Sequence, residues 1–461
     1  MLRTSHFAVL LLVAVALAQP VFEKRWCWSA GDLGRSVAQT DAGAYVIGAE
    51  TWSATGGFGM LSALADQSGE TTWVRRVGNV ASGSGYSCLE IDNTVVLAGR
   101  DSAGRIIACK YDQAGDSLWS YVSGWRGRVS AVVPAADTGC LIVGRIPDSM
   151  CSFGAIRLDA RGQEVWARCY PATGMYETWA RGAAQDSDSG FIICGDGHDY
   201  GYSYARLLRV SQDGEVVWSR LHRGQTGITL NSVVPVPGRG YLALGTNLDT
   251  LVRQRAVLLL GADTAGAVVS SLHLVPPAPE VQAAALRPVG DDYALCAALD
   301  WYDSARVWLV RTSAAGDTLW SRVLGRASRE TPADMVLTAD SGYAIVGSSD
   351  WSGSSVFLFK TDSLGRTATG VVMPGQRQLA RARLRIVPNP TTGSVLVSSD
   401  LPADGARVCL ELCDVAGRVV RRSEPMVRLR HRFSLAGLSA GTYLVRFTSA
   451  ERVATGRIVV R

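Results

Sequence analysis

The sequence predicts an all-β chain: a ring of seven four-stranded sheets followed by a small β-sandwich. Three observations predict it. A glycine recurs at 69, 115, 162, 214, 266, 316 and 365, at intervals of 46, 47, 52, 52, 50 and 49 residues. Four short apolar stretches fill each interval, as "VQAAALRPV", "DYALCAAL", "RVWLVRTS" and "DTLWSRVLG" do in the unit ending near Trp320. Beyond about residue 374 the period stops, and a different pattern of short strands and Gly turns runs to Arg461. Composition agrees: 47% hydrophobic and 19% charged residues describe a folded chain, and 49 glycines among short apolar runs favour strands and turns.

Taken in order, residues 1–18 read as a signal peptide. Arg3 supplies the positive end, Ala8 to Ala18 the apolar core and Ala16-Leu17-Ala18 a cleavage site before Gln19. That core is too short to span a bilayer, which takes about 20 residues, and no later stretch is long enough. The mature chain is expected to be exported, with no transmembrane helix. Next, "RWCWS" at 25–29 looks like a fourth strand with no blade before it. A strand at 24–31 is expected to complete or compete for the outer edge of the seventh unit, whose own fourth stretch has Thr369 where a Trp belongs.

The repeat itself occupies residues 19–374. Its second stretch closes on Gly48, Gly99, Gly144, Gly195, Gly245, Ala297 and Gly347, one per unit. Seven units of four near-continuous apolar strands describe a seven-bladed β-propeller, in which each sheet is covered on both faces by its neighbours. Trp73, Trp119, Trp166, Trp218 and Trp320 each follow the recurring Gly by four residues. Blades diverge from the axis, so a bulky side chain is needed to fill the outer wedge, and the Gly permits the tight turn into the fourth strand.

The pattern resembles secreted bacterial propellers built from D-x-x-G-x-x-x-W repeats, similar in look to the tryptophan-docking repeats of quinoprotein dehydrogenases. "DQAGDSLW" at 112–119 is the nearest match, and the resemblance covers about 30–370. It implies a fold and no activity. Sialidase Asp-boxes space Asp and Gly differently, so the resemblance does not extend to that enzyme.

Residues 375–383 form a basic linker, and 384–461 a second module. Pro388-Asn389-Pro390 with Gly393, "DVAGRVV" at 414–420 and "LSAGTYLVR" at 438–446 identify it as similar to the type A C-terminal sorting domain of the type IX secretion system. That resemblance implies a small β-sandwich read by the type IX secretion machinery, and a secreted or outer-surface location. The net charge of +5 is concentrated here, with 14 Arg against six acidic residues from 379 onward. These arginines are scattered through strands without interleaved aromatics, which points to solvated faces and not to nucleic acid.

Chemistry is sparse. The chain has ten cysteines, several inside apolar strands where they act as small hydrophobes; Cys140 with Cys151 and Cys169 with Cys194 are the pairs left open. Gly437-Leu438-Ser439-Ala440-Gly441 has the nucleophile spacing but precedes a strand within the sorting module, so Ser439 is read as structural. Five histidines show no metal-ligand spacing; His198 in "GDGHDYGYSY" is read as loop polarity. "DSDSG" at 186–190 and "GDGHD" at 195–199 lack the distal Glu of a calcium loop and read as turns. No catalytic, metal or cofactor set is expected.

One pattern points to binding. The loops after the second strand carry Trp52, Tyr200, Tyr202, Trp301, Tyr302 and Trp351, and blade-to-blade connections on the same face add Trp125 and Trp179. Aromatics gathered on one rim can stack a sugar or grip a peptide. The expected function is therefore a non-enzymatic binding or scaffold module for a carbohydrate or surface protein. The alternative is a secreted polysaccharide hydrolase or lyase with acidic residues at the axis; a quinone-dependent oxidoreductase ranks third.

Overall fold

In the computed structural model the described residues are 19–29, 31–52, 58–80, 87–91, 93–147, 151–172, 174–175, 177–199, 202–223, 227–249, 254–300, 305–325, 329–349, 355–367, 385–398, 409–413, 419–423, 430–448 and 453–460. The expected signal peptide at 1–18 and linker at 375–383 lie outside them. The chain divides into two compact units, 1–369 and 370–461.

The first unit is the seven-bladed propeller. A lone strand, β1 (Phe22–Trp26), precedes blade 1, which holds β2 (Gly31–Gln39), β3 (Tyr45–Trp52), β4 (Phe58–Ala65) and β5 (Thr71–Val80). Blade 2 holds β6 (Ser87–Ile91), β7 (Thr94–Arg100), β8 (Arg105–Tyr111) and β9 (Ser117–Arg126). Blade 3 holds β10 (Arg128–Pro134), β11 (Cys140–Arg145), β12 (Cys151–Leu158) and β13 (Glu164–Cys169). Blade 4 holds β14 (Glu177–Gln185), β15 (Phe191–His198), β16 (Ser203–Val210) and β17 (Val216–Arg223). Blade 5 holds β18 (Thr229–Val236), β19 (Gly240–Asp249), β20 (Gln254–Ala262) and β21 (Val268–Leu274). Blade 6 holds β22 (Val281–Val289), β23 (Asp292–Leu299), β24 (Arg306–Thr312) and β25 (Thr318–Leu324). Among the described residues blade 7 has three strands of its own, β26 (Glu330–Leu337), β27 (Tyr343–Ser349) and β28 (Ser355–Thr361). Each blade is an antiparallel meander, and the first strands touch in the circular order β2, β6, β10, β14, β18, β22, β26 and back to β2.

The ring closes through the N-terminus, as expected, but with different residues. β1 pairs antiparallel with β28 and supplies the missing outer strand of blade 7; it ends at Trp26, and Gly31 already begins the inner strand β2. Phe22 lies opposite Lys360, the register that Trp166 holds against Arg157 and Trp218 against Arg209. Phe22 thus takes the wedge position of blade 7, and Trp28 stands outside the repeat, stacked on Trp26 at 5.3 Å. The Arg25–Glu330 ion pair ties the closing strand to the inner strand of the same blade.

The tryptophans do more than fill a wedge. Trp166 donates its indole N–H to the Gln212 carbonyl in the next blade at 2.9 Å, and Trp218 does so to Thr264 at 2.9 Å. Each indole therefore docks on the turn that carries the next recurring Gly. Gly214 shows why that residue is Gly: its φ is +77°, and a Cβ there would meet the Trp166 ring at 2.9 Å. The acid of the turn is also explained, because Asp159 accepts the backbone N–H of both Arg161 and Gln163 at 2.8 Å. Burial is uneven: Trp166 and Trp218 are 9% exposed, whereas Trp73, Trp119 and Trp320 are half-buried.

A second repeated device was not anticipated. The residue opposite the wedge position is a buried cation in several blades, and it reaches the acid of the turn between the first two strands. Arg157 bonds Asp137, Arg209 bonds Asp188, Arg311 bonds Asp292 at 3.0 Å, and Lys360 bonds Asp340 at 2.9 Å. "DSDSG" at 186–190 is one such turn, closed by the Asp186 N–H to Gly190 carbonyl bond.

The cysteine pairs left open do not form. Cys140 and Cys194, one member of each pair, are free thiols fully buried among strand residues, and burial pushes the Cys140 thiol up to about 12.

The second unit is a seven-stranded sandwich. One sheet runs β29 (Arg385–Val387), β30 (Ser394–Ser398), β33 (Arg430–Ser434); the other runs β32 (Val419–Arg422), β31 (Cys409–Cys413), β34 (Gly441–Thr448), β35 (Val453–Val460). Val395, Val397 and Phe433 from the first sheet meet Leu410, Val445 and Ile458 from the second in one core. Asn389 accepts the Val459 N–H at 2.9 Å, so the Pro-Asn-Pro segment is anchored to the last strand. Ser439 acts through its carbonyl, which accepts the Tyr443 hydroxyl at 3.0 Å.

Candidate functional site

A meander fixes which ends share a face. The first strand of each blade begins where the second ends and the third begins, so these three termini surround one mouth of the central channel. The channel is a cavity of about 920 Å³ lined by β2, β10, β14, β18, β22 and β26. In all six strands the ladder slips by one residue near this mouth, a β-bulge that turns the extra side chain toward the axis. The bulged residues are Arg35, Ser130, Arg181, Asn231, Ala284 and Ala333. Bulging brings the facing strand close: a Cβ on Gly195 would sit 1.8 Å from the Trp179 carbonyl oxygen. The recurring Gly of the second strand is therefore a consequence of the bulge.

The mouth is not uniform. Toward the axis, blades 5, 6 and 7 offer the uncharged Asn231, Gln282, Thr331 and Ser348, while at their rim Arg255 pairs with Glu280 at 3.2 Å and Glu330 with Arg25. Blades 1, 3 and 4 carry charge. Arg35 donates to the buried Glu50 at 2.9 Å, and Arg145 to Glu177 at 2.8 Å. Arg181 forms an ion pair with Asp196, which is wholly buried. Arg128 lies directly opposite Arg145 in the ladder of β10 and β11. Deeper in, Arg287 bonds Asp334 at 2.6 Å.

Trp179 organises this region. The first residues of β12 pair with β14 in parallel, Ser152 beside Trp179, which joins blades 3 and 4. The guanidinium groups of Arg145 and Arg181 both sit 5.2 Å from the Trp179 ring centre, a cation–π arrangement that holds two cations near one indole. Trp179 Nε1 is buried without a hydrogen-bond partner.

His198 is the last residue of β15 and not a loop residue. It sits across from Ser203, with Nδ1 at 3.1 Å from Ser203 Oγ and Nε2 at 2.9 Å from Asp196 Oδ2. Burial alone would raise the Asp196 carboxyl, but the hydrogen bond from His198 and the charge of Arg181 outweigh it and hold it below the usual carboxylate range. The same hydrogen bond raises the His198 imidazole above its ordinary value despite partial burial. Asp196, His198 and Ser203 form one hydrogen-bonded chain at the mouth.

The expected aromatic residues are not gathered by the described part of the structure. Tyr202 is 46% exposed, with the Arg223 guanidinium 3.5 Å from its ring centre. Trp125 belongs to the outer strand β9 and not to a connection; it packs on the core between blades 2 and 3 and lines an outer groove with Tyr170 and Cys169. Trp179, likewise, is in an inner strand. Trp52 ends β3 opposite Gly31, and nothing is described of its side chain. Tyr200, Trp301, Tyr302 and Trp351 lie outside the described residues. The arginines of the mouth went unnoticed in the sequence; the signal for them was the alternation "AGR", "VGR", "CGD" at the ends of β7, β11 and β15, where the repeat otherwise predicts small residues.

Residues 385–461 match the model of the secretion system C-terminal sorting domain. The chain is thus addressed for export by the type IX secretion system, to the cell surface or the extracellular space. Among curated proteins none matches the chain. Solved structures with a similar fold include the catalytically inactive virginiamycin B lyase from Staphylococcus aureus with quinupristin (11% identity, 74% of this chain and 99% of that one, TM-score 0.45). They also include the Neurospora crassa Pan2 WD40 domain (11% identity, 73% and 92%, TM-score 0.46). Chaetomium thermophilum Sqt1 bound to the N-terminus of ribosomal protein L10 is a third (13% identity, 73% and 98%, TM-score 0.45). Likeness this distant carries no function across; the propeller rests on the seven sheets themselves. Among the described residues no helix is long and apolar enough to cross a membrane, and no group of His, Cys, Asp and Glu could hold a metal ion.

Proposed function

We propose that the chain is an exported binding module, made with residues 1–18 as its signal peptide, whose propeller holds an extracellular glycan or surface protein at the channel mouth. The observation that supports this reading is the break in the repeat. Outer seams are built alike in five of the seven blades, whereas the mouth differs from blade to blade, with arginines turned toward blades 1, 3 and 4. The channel carboxylates Glu50, Asp196 and Asp334 are each engaged by an arginine, which suits a fixed recognition surface better than general acid–base work. The test is capture of polysaccharides and surface proteins by the full chain and by a folded variant with Ala at Trp301, Tyr302 and Trp351. Saturable capture that the variant loses supports a binding face built by those loops. Failure of both proteins to capture any ligand overturns the reading.

A second reading, a polysaccharide hydrolase or lyase, is favoured by the Asp196–His198–Ser203 chain, which has the order carboxylate, base and hydroxyl. Turnover of a polysaccharide that disappears in His198→Gln would promote it over binding.

A further inference from the structure

We propose that the mouth between blades 3 and 4 is an anion site that takes the carboxylate or sulfate group of an acidic glycan, with Arg128 as its principal contact. This deepens the glycan reading above and rests on it. Arg128 is half-buried in the first position of β10. It makes no hydrogen bond or ion pair to any described residue, and its Nε is buried without a partner. Its cross-strand neighbour in the ladder is Arg145. Like charges directly opposite one another destabilise a sheet, and an unpaired buried donor adds to that cost. The carboxylates nearby do not relieve it, because Glu177 is engaged by Arg145, and Asp196 by Arg181 and His198. Among the described residues, three guanidiniums and an imidazole therefore face two carboxylates. A ligand anion would supply the missing charge, and the guanidinium fork matches a carboxylate or sulfate in two parallel hydrogen bonds. Trp179 keeps Arg145 and Arg181 beside this point by drawing both to its π faces.

A glycan fits the remainder of the mouth better than an acidic peptide does. Toward the axis the opposite arc presents the amide and hydroxyl groups of Asn231, Gln282, Thr331 and Ser348, and its rim carries charges that are paired, Arg255 with Glu280 at 3.2 Å and Glu330 with Arg25, which complements a ligand with one acidic group among many hydroxyls.

The experiment compares the full chain with Arg128→Gln in capture of polygalacturonate, dextran sulfate, neutral dextran and poly-glutamate. The expected result is capture of one or both acidic glycans, at least tenfold weaker in Arg128→Gln and weakened by salt in the parent, with the variant melting no lower than the parent. Preference between polygalacturonate and dextran sulfate identifies carboxylate or sulfate as the recognised group. Equal capture of neutral dextran and acidic glycans, unchanged in Arg128→Gln, overturns the anion site and leaves glycan binding standing. Capture of poly-glutamate alone overturns the assignment to a glycan. No capture of any polymer overturns both.

Discussion

At the outer seams, the indoles of Trp73, Trp119, Trp166 and Trp218 each donate to a backbone carbonyl in the following blade, at 2.7 to 3.1 Å. At the channel mouth of the same blades, equivalent positions hold Arg128 in one and Trp179 in the next, or Arg145 and then Asp196. The seam is under one demand everywhere, to close a wedge between diverging sheets, so Trp recurs in five of the seven blades, while Phe22 holds the position in blade 7 and Ser270 in blade 5. The mouth borders open space and has no packing demand in common, so its residues are free to differ. Repetition here marks architecture, and departure from it marks the surface where a ligand can be read.

That contrast can be broken by substitution at either end. Trp218→Ala should cost about 3–5 kcal/mol, through the lost ring and its hydrogen bond, and leave ligand capture by the surviving folded protein unchanged; calorimetric melting checks the first and a capture assay below the melting range the second. The less buried Trp73 should cost clearly less when truncated. Asp340→Asn tests the second seam device. It leaves the fully buried Lys360 ammonium without its counter-charge, and removing one partner of a buried pair costs about 3–5 kcal/mol. Denaturant unfolding that is unchanged in this variant would mean the repeated cation–acid pairs are ornamental. The mouth should behave oppositely. Arg128→Gln removes a like-charge pair, so stability should rise by about 0.2–1 kcal/mol while anion capture falls.

The smallest expected effect is a pH dependence. His198 has its folded value raised by the Asp196 hydrogen bond, so it stabilises the fold fully below its unfolded value, and that contribution is lost as pH rises through the folded value. His222, in β17, has its value lowered by burial and by Arg220. Its contribution is present above the unfolded value and is lost as pH falls. Across the histidine range, melting temperature should therefore decline less on the alkaline side in His198→Gln and less on the acid side in His222→Gln than in the parent. Identical profiles for both variants would contradict these environments.

Much of the propeller was legible because its demands are local and periodic. The recurring Gly and its Trp lie four residues apart, and the turn they flank is set by backbone geometry within that span. The sorting module was legible for a similar reason, since Pro388-Asn389-Pro390 and the last strand carry its signature in continuous segments. The closing strand was legible in kind and misplaced in register. The expected strand at 24–31 ends instead at Trp26, and Phe22 holds the wedge, because register follows backbone pairing with β28 and not residue size.

The sequence by itself determined the blade count, the strand order, the export address and the five tryptophans of the outer wedge, all of which follow from short patterns and their recurrence along the chain. Only the tertiary structure decided which side chains face the axis. A one-residue bulge redirects Arg35 and Arg181 into the channel, and no periodicity announces it. It also decided that Arg128 stands opposite Arg145, 17 residues along the chain, with its Nε buried and unpartnered among the described residues. Whether a charge is satisfied depends on neighbours that folding brings from other strands and other blades, and that information is not held in any single stretch.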